Sequence, residues 1–256
     1  MQRNWGELCA LPFFIQSSLK GILMKVEIKY EPKSLTEVVY SSAGQDIRIN
    51  AYAQSGLNGH IILWGPNGTG KSTVAKLLPN AIAGTQAIIE SKSLEDLLAI
   101  KDLKTHLMRE AHSAKVLFGG KYFLVYDEAD ATKGSMAKFW TAVDDCGDDL
   151  MMILTTNNPM GIAQSVRSRS DEIEFPALTP QQFLPRVQYM LNAEGVNLPN
   201  AQVLHYLLQI QHTPDLRKYC RKVDELIYLV QNNLPLPPFA SGAANQPQMK
   251  VVISSK

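Results

Sequence analysis

Residues 61–73 read Ile-Ile-Leu-Trp-Gly-Pro-Asn-Gly-Thr-Gly-Lys-Ser-Thr, an apolar run that feeds a glycine-rich turn and ends on Lys71-Ser72. The spacing Gly65-x4-Gly70-Lys71-Ser72 fits the P-loop template, a turn that wraps phosphate. Glycines at 65, 68 and 70 permit positive φ and keep side chains out of the way, so in the loop Gly65–Pro66–Asn67–Gly68–Thr69–Gly70 the consecutive N–H groups that follow Pro66 can turn onto phosphate oxygens. Lys71 would reach the β and γ phosphates, and Ser72 would place its hydroxyl on Mg²⁺. Thr73 to Leu78 would run on as a helix whose positive end faces the same anion. The β-rich stretch His60–Trp64 lies before the loop, and Val74, Leu77 and Leu78 give helical spacing after it. That is the strand, loop and helix setting the motif requires, and it argues against a glycine turn that binds nothing.

Downstream, Lys121-Tyr-Phe-Leu-Val-Tyr126 runs straight into Asp127-Glu128-Ala129-Asp130. A buried parallel strand that delivers carboxylates at its C-terminal edge has this pattern, and ligands of open α/β sheets bind at that edge. It reads as a Walker B element, with Asp127 holding the Mg²⁺ through water and Glu128 polarising the attacking water. Leu150–Leu154 forms another strand and delivers Thr155-Thr156-Asn157-Asn158-Pro159 to the same edge. An amide there can orient water against a γ-phosphate, while asparagine before proline is equally ordinary turn chemistry. Arg167-Ser168-Arg169-Ser170 precedes a last strand, Glu172–Phe175; spacing alone leaves these arginines as solvated surface.

On the upstream side, Lys29–Val39 combines an extended X-Pro step with a Ser34-x-x-Glu37 capping box, predicting a short helix near Leu35 and another over Asp46–Gln54, closed by Ser55-Gly56. Gln86–Glu90 is a candidate strand, and Ser93-x-x-Asp96 opens a helix with Leu94, Leu97, Leu98, Leu107, Met108 and Ala111 largely on one face. From Pro176 the pattern turns to helices only. Thr179-Pro180-x-Gln182 caps one that ends at Gly195, a second covers Asn200–Gln211, and Thr213-Pro214-Asp215 caps a third with Leu216, Cys220, Val223, Leu226, Ile227 and Val230 inward. The domains expected are a leader over 1–24, a nucleotide-binding α/β domain over 25–176, a three-helix lid over 177–232 and a disordered Pro-rich tail over 233–256. Met24-Lys25-Val26 resembles a natural protein start, so residues 1–23 read as an upstream in-frame extension or a disordered leader; Pro12 and Gln16–Lys20 weaken a signal-peptide reading.

Composition bounds this picture. The 256 residues are 45% apolar and 19% charged, enough to bury a substantial core, and the net charge of +1 gives no overall steering field toward nucleic acid. Cys9, Cys146 and Cys220 lack metal spacing and suit reduced thiols of a cytoplasm. No apolar run reaches the roughly 18 residues of a membrane span.

An α/β nucleotide domain followed by a three-helix lid resembles an AAA+ ATPase with a parallel five-stranded sheet, and the motifs resemble its sliding-clamp loader branch, the replication factor C small subunit and phage forms. Lys29-Tyr30-Glu31-Pro32 is similar to the family's opening segment, which packs by the adenine and so implicates Tyr30 and Pro32. Leu154–Asn157 is similar to sensor 1, Ser168-Arg169-Ser170 to the arginine-finger motif, and Asp215-Leu216-Arg217 to sensor 2. The resemblance covers about residues 25–232. It implies that Lys71, Ser72 and Asp127 bind MgATP, that Glu128 activates water, and that Asn157 and Arg217 sense the γ-phosphate. Arg169 would reach the ATP of a neighbouring AAA+ subunit, a contribution on the order of 10³–10⁵ in rate. Glu31 replaces the usual arginine, Ser170 the usual cysteine and Pro214 a glycine, which fits a helix N1 position. Loaders of this kind also carry a third, collar domain, where this chain has a Pro-rich tail. Primer-template DNA and a sliding clamp are the partners implied. Lys101, Lys104, Arg109, Lys115 and Lys121, with His106 and His112, outweigh Asp102 and Glu110 and would face DNA, a solvated helix face being the alternative. The competing readings are a helicase loader or transposition regulator acting on DNA, and a ring component that binds ATP for structure only.

Overall fold

The computed structural model describes residues 25–54, 59–91, 96–97, 99–129, 136–212 and 215–239. The leader 1–24, the Ser55-Gly56 closure, the Ser93–Glu95 part of the predicted capping box with Leu94 and Leu98, Asp130, Thr213-Pro214 and the tail from 240 lie outside these residues.

Five strands form one parallel sheet: β1 (His60–Trp64), β2 (Ile88–Glu90), β3 (Tyr122–Tyr126), β4 (Leu150–Thr156) and β5 (Ser170–Glu174), in the order β2-β3-β4-β1-β5. Alternation along the strands divides their side chains between two layers. Ile61, Leu63, Phe123, Val125, Met151 and Ile153 pack on one face against α2 (Ala43–Gln54) and α3 (Lys71–Ala83). Ile62, Tyr122, Leu124, Tyr126, Met152 and Leu154 pack on the other against α4 (Leu103–Phe118) and α5 (Met136–Asp144). Both faces are covered, so the strands read as continuous apolar runs.

The register aligns the C-terminal ends: Trp64 pairs with Thr156 and Tyr126 with Leu154. The glycine-rich loop 65–70, Asp127 and Asn157 therefore leave the sheet at one edge. β4 runs two residues past the predicted Leu154, because Thr155 and Thr156 pair with Leu63 and Trp64. α3 begins at Lys71 and continues through Pro79 to Ala83, further than the predicted Leu78.

Local caps explain other differences. Ser34 does not cap; its hydroxyl meets Thr36 Oγ1, and the following turn, Leu35–Glu37, is 3₁₀. α4 begins at Leu103, capped by Asp102, which accepts from the Thr105 amide at 3.2 Å. Met108, placed by its spacing on the inner face, is 43% exposed, whereas Leu107 and Ala111 are buried.

After the short helix α6 (Gln164–Arg167), three helices make the second body: α7 (Pro180–Ala193), α8 (Asn200–Leu208) and α9 (Leu216–Gln231). The Thr179/Gln182 capping box forms as predicted. α9 starts at Leu216 with Asp215 as its cap; the expected N1 position of Pro214 lies outside the described residues. Two segments assigned elsewhere by sequence join this helical core. Val26, on the short helix α1 (Val26–Lys29), is buried in it, and Leu236 and Phe239 pack on it from the start of the expected disordered tail. Tyr206 Oη donates to the Pro237 carbonyl at 2.8 Å, fixing residues 233–239 as a strap.

Candidate active site

A cleft of about 740 Å³ lies between the sheet edge and the helical body. Tyr30, Pro32, residues 67–73, Asp127, Glu128, Asn157 and Arg217 all line it.

The loop is shaped by contacts as well as by φ. Gly65 has φ +144, and a Cβ there would run into the Phe175 carbonyl; Gly68 has φ +71 and packs directly against the Asp215 carboxylate. The Leu216 amide donates to the Gly68 carbonyl at 2.9 Å, so the lid helix rests on the loop. Lys71 is 7% exposed, and its Nζ donates to the Gly65 carbonyl at 2.8 Å, the Pro66 carbonyl at 2.6 Å and Asn157 Oδ1 at 3.1 Å. Lys71 and Asn157, 86 positions apart, thus share one hydrogen bond at the sheet edge.

Asp127 Oδ1 accepts from Ser72 Oγ at 2.7 Å and from Thr155 Oγ1. The same Thr155 hydroxyl accepts the Glu128 amide at 3.1 Å. Glu128 stands at φ 54, a left-handed conformation that costs a non-glycine residue about 1 kcal/mol or more. The Thr155 contact holds that turn and leaves the Glu128 carboxylate exposed at the cleft. Ser72 and Asp127 together are a pair of hard oxygen donors, the kind Mg²⁺ takes alongside water and phosphate.

At the other end, Tyr30 lies with its ring 5.9 Å from that of Tyr189 and its Oη donating to Glu194 Oε1 at 2.6 Å. Lys29 Nζ donates to the same oxygen at 2.5 Å. Those hydrogen bonds, Lys29 first, hold the Glu194 carboxyl below its usual range, while burial raises Tyr30. Arg186 donates to the Tyr30 carbonyl at 2.8 Å. The Cys220 thiol forms part of the cleft wall and burial pushes it up to about 12, which keeps it inert.

Arg217 is exposed at the cleft with Nε 3.6 Å from Glu27 Oε1. Arg169 is not brought to the cleft. It lies outside, Nε 3.2 Å from Asp144 Oδ2 and Nη1 donating to the Ser165 carbonyl at 2.7 Å. Three cations of the basic stretch make exposed ion pairs: Lys104 with Asp145 at 2.7 Å, Lys115 with Asp149 at 2.9 Å and Arg109 with Glu110 at 3.0 Å. The acidic partners follow α5, more than 30 residues on from Lys104 and Lys115, so a local count of charges does not include them.

Sequence reasoning missed Thr155, Glu27 and Arg186. Two threonines ending a buried strand beside the Walker B carboxylates were the available signal for Thr155; Glu27 and Arg186 carry none, because only the folding of α1 onto the lid brings them to the cleft.

Residues 61–177 match the model of the ATPase family associated with various cellular activities. Replication factor C small subunit 2 of Pyrobaculum islandicum is 27% identical over 173 residues, covering 66% of this chain and 54% of that protein. The sliding-clamp-loader large subunit of Escherichia phage RB69 is 27% identical over 214 residues, covering 78% and 63%. The chain spans about half the length of the replication factor C small subunits it matches. The fold is also that of the RuvB Holliday junction branch migration motor of Thermotoga maritima, with TM-score 0.59 at 19% identity over 80% of this chain and 67% of that one. Among the described residues no helix is long and apolar enough to cross a membrane.

Proposed function

Taking residues 61–177 as an AAA-family ATPase domain, we propose that this chain is an ATP-dependent ATPase of the clamp-loader kind, coupling ATP binding and hydrolysis to engagement of DNA and a sliding clamp in replication. The observation that carries it is the meeting of Lys71 with Asn157 and of Ser72 with Asp127 at one sheet edge, beside Glu128. Relatives named as replication factor C subunits and a phage clamp loader support the choice within the family.

In this reading the loop amides and Lys71 grip the phosphates, and Lys71 exchanges its carbonyl partners for phosphate oxygens. Ser72 and Asp127 would hold a Mg²⁺, which would supply charge neutralisation to the phosphates. Glu128 accepts a proton from the attacking water and Asn157 orients it; the water oxygen bonds to the γ-phosphorus as the bond from that phosphorus to the β–γ bridging oxygen breaks, so ADP is the leaving group and the γ-phosphoryl departs as inorganic phosphate. Tyr30 and Pro32 wall the base end, and Arg217 reads the γ-phosphate. Arg169, outside its own cleft, serves the cleft of a neighbouring subunit.

Mixing tests the shared site. A mixture of Arg169→Ala and Lys71→Ala proteins should regain turnover that neither has alone, since each supplies what the other lacks. Calorimetric titration of ATP into the wild-type chain, with no heat observed, would remove the whole reading.

A further inference from the structure

The cleft that is to receive a polyanion carries a carboxylate at its wall. Glu27, on α1, lines it beside Arg217, with Glu27 Oε1 3.6 Å from Arg217 Nε. Their side chains are 42% and 58% exposed, so this pair is screened by water and readily exchanged. The backbone that presents Glu27 is firmly held. The Val26 amide donates to Asp224 Oδ1 of α9 at 3.0 Å, and Tyr30 is fastened to Glu194 at the end of α7. Glu27 is thus presented from a wall docked on the lid, facing an arginine on the lid's own last helix.

We propose that Glu27 is a positioning residue that holds Arg217 until a third phosphate displaces it, making engagement of this arginine selective for triphosphate over diphosphate. The inference rests on the reading of the cleft as an ATP site. A guanidinium prefers the two-pronged geometry of phosphate to a loose single contact with a carboxylate, so the γ-phosphate can win the exchange. A diphosphate lacks the group that competes for Arg217, and the Glu27 contact persists.

Isothermal titration of the whole chain with ATPγS and with ADP tests this in wild type, E27Q, R217A and the double variant. E27Q should tighten ATPγS about two- to five-fold, the scale of an exposed ion pair, while ADP changes less, so that the ratio of the two affinities rises. E27D, which keeps the charge on a shorter arm, should fall between. In the R217A background the ratio should not respond to E27Q. Simple removal of a negative charge would tighten both nucleotides alike and persist in R217A; that result, or an unchanged ratio, overturns the proposal while leaving the ATP site intact. A wild-type chain that binds neither nucleotide overturns both.

Discussion

The Leu216 amide and the Gly68 carbonyl, 2.9 Å apart, join the first turn of the last lid helix to the tip of the phosphate loop. The contact is close because Gly68 has no side chain: the Asp215 carboxylate that caps α9 through the Arg217 amide at 2.9 Å occupies the space a Cβ would need. Loop and lid are therefore one mechanical unit at this point, and a change at Gly68 is felt in both.

Gly68→Ala should both strain φ +71 and displace the Asp215 cap. The left-handed conformation costs about 1–2 kcal/mol and the lost cap about 1 more. A thermal melt followed by circular dichroism should show Tm lower by roughly 5 °C or more, and Asp215→Ala alone should give only the part due to the cap.

Thr155→Val keeps the shape of a side chain 1% exposed but removes the hydroxyl that joins Asp127 to the Glu128 amide. Leaving those partners unmet should cost about 1–3 kcal/mol in urea denaturation. Because Glu128 then loses the contact that holds its strained φ, steady-state turnover should fall more than nucleotide affinity does. Equal losses in both would argue that Thr155 only supports the fold.

The strap over the lid gives a prediction independent of nucleotide. Tyr206→Phe deletes the hydrogen bond to the Pro237 carbonyl and should lower stability by about 1 kcal/mol. Ending the chain after Asn232 should cost more, since Leu236 and Phe239 leave the helical core; the Phe239 ring sits 5.3 Å from that of His205. Comparing urea midpoints of the two variants separates the bond from the apolar contacts.

Stability should also depend on pH through His60. Its Nδ1 accepts the Met152 amide at 3.2 Å, a role open only to the unprotonated nitrogen. Burial lowers its pKa from the usual 6.5, a shift only partly opposed by Asp144. Between the lowered folded value and 6.5 the unfolded chain binds more protons, so stability is full above pH 6.5 and is lost as pH falls through that window. Urea midpoints at neutral and mildly acid pH should differ less in His60→Gln than in wild type.

Much of this molecule was legible in the chain itself. The glycine spacing of 65–70, the run Tyr122–Tyr126 ending in Asp127-Glu128 and the β4 strand ending before Asn157 each declared an element and the sheet edge it reaches, because period and local backbone demands are properties of neighbours in sequence. Even the Thr179/Gln182 cap formed as read. Local signals misled where a distant partner decided. The Lys104 and Lys115 charges met carboxylates at Asp145 and Asp149, Ser34 gave up its cap, and α1 and the 233–239 strap joined the lid because its core offered apolar burial that no neighbouring residue could.

By itself, then, the sequence determined the glycine-rich loop, the acidic strand end and the strands and loops on which the candidate site residues would stand. Only the tertiary structure decided that Lys71 meets Asn157, that Thr155 links the two acids, that Glu27 faces Arg217 and that Arg169 stays outside its own cleft. The physical reason is separation: hydrogen bonds and ion pairs act over a few ångströms, and residues from 27 to 217 reach that range only once the parallel register and the docked lid have set their distances.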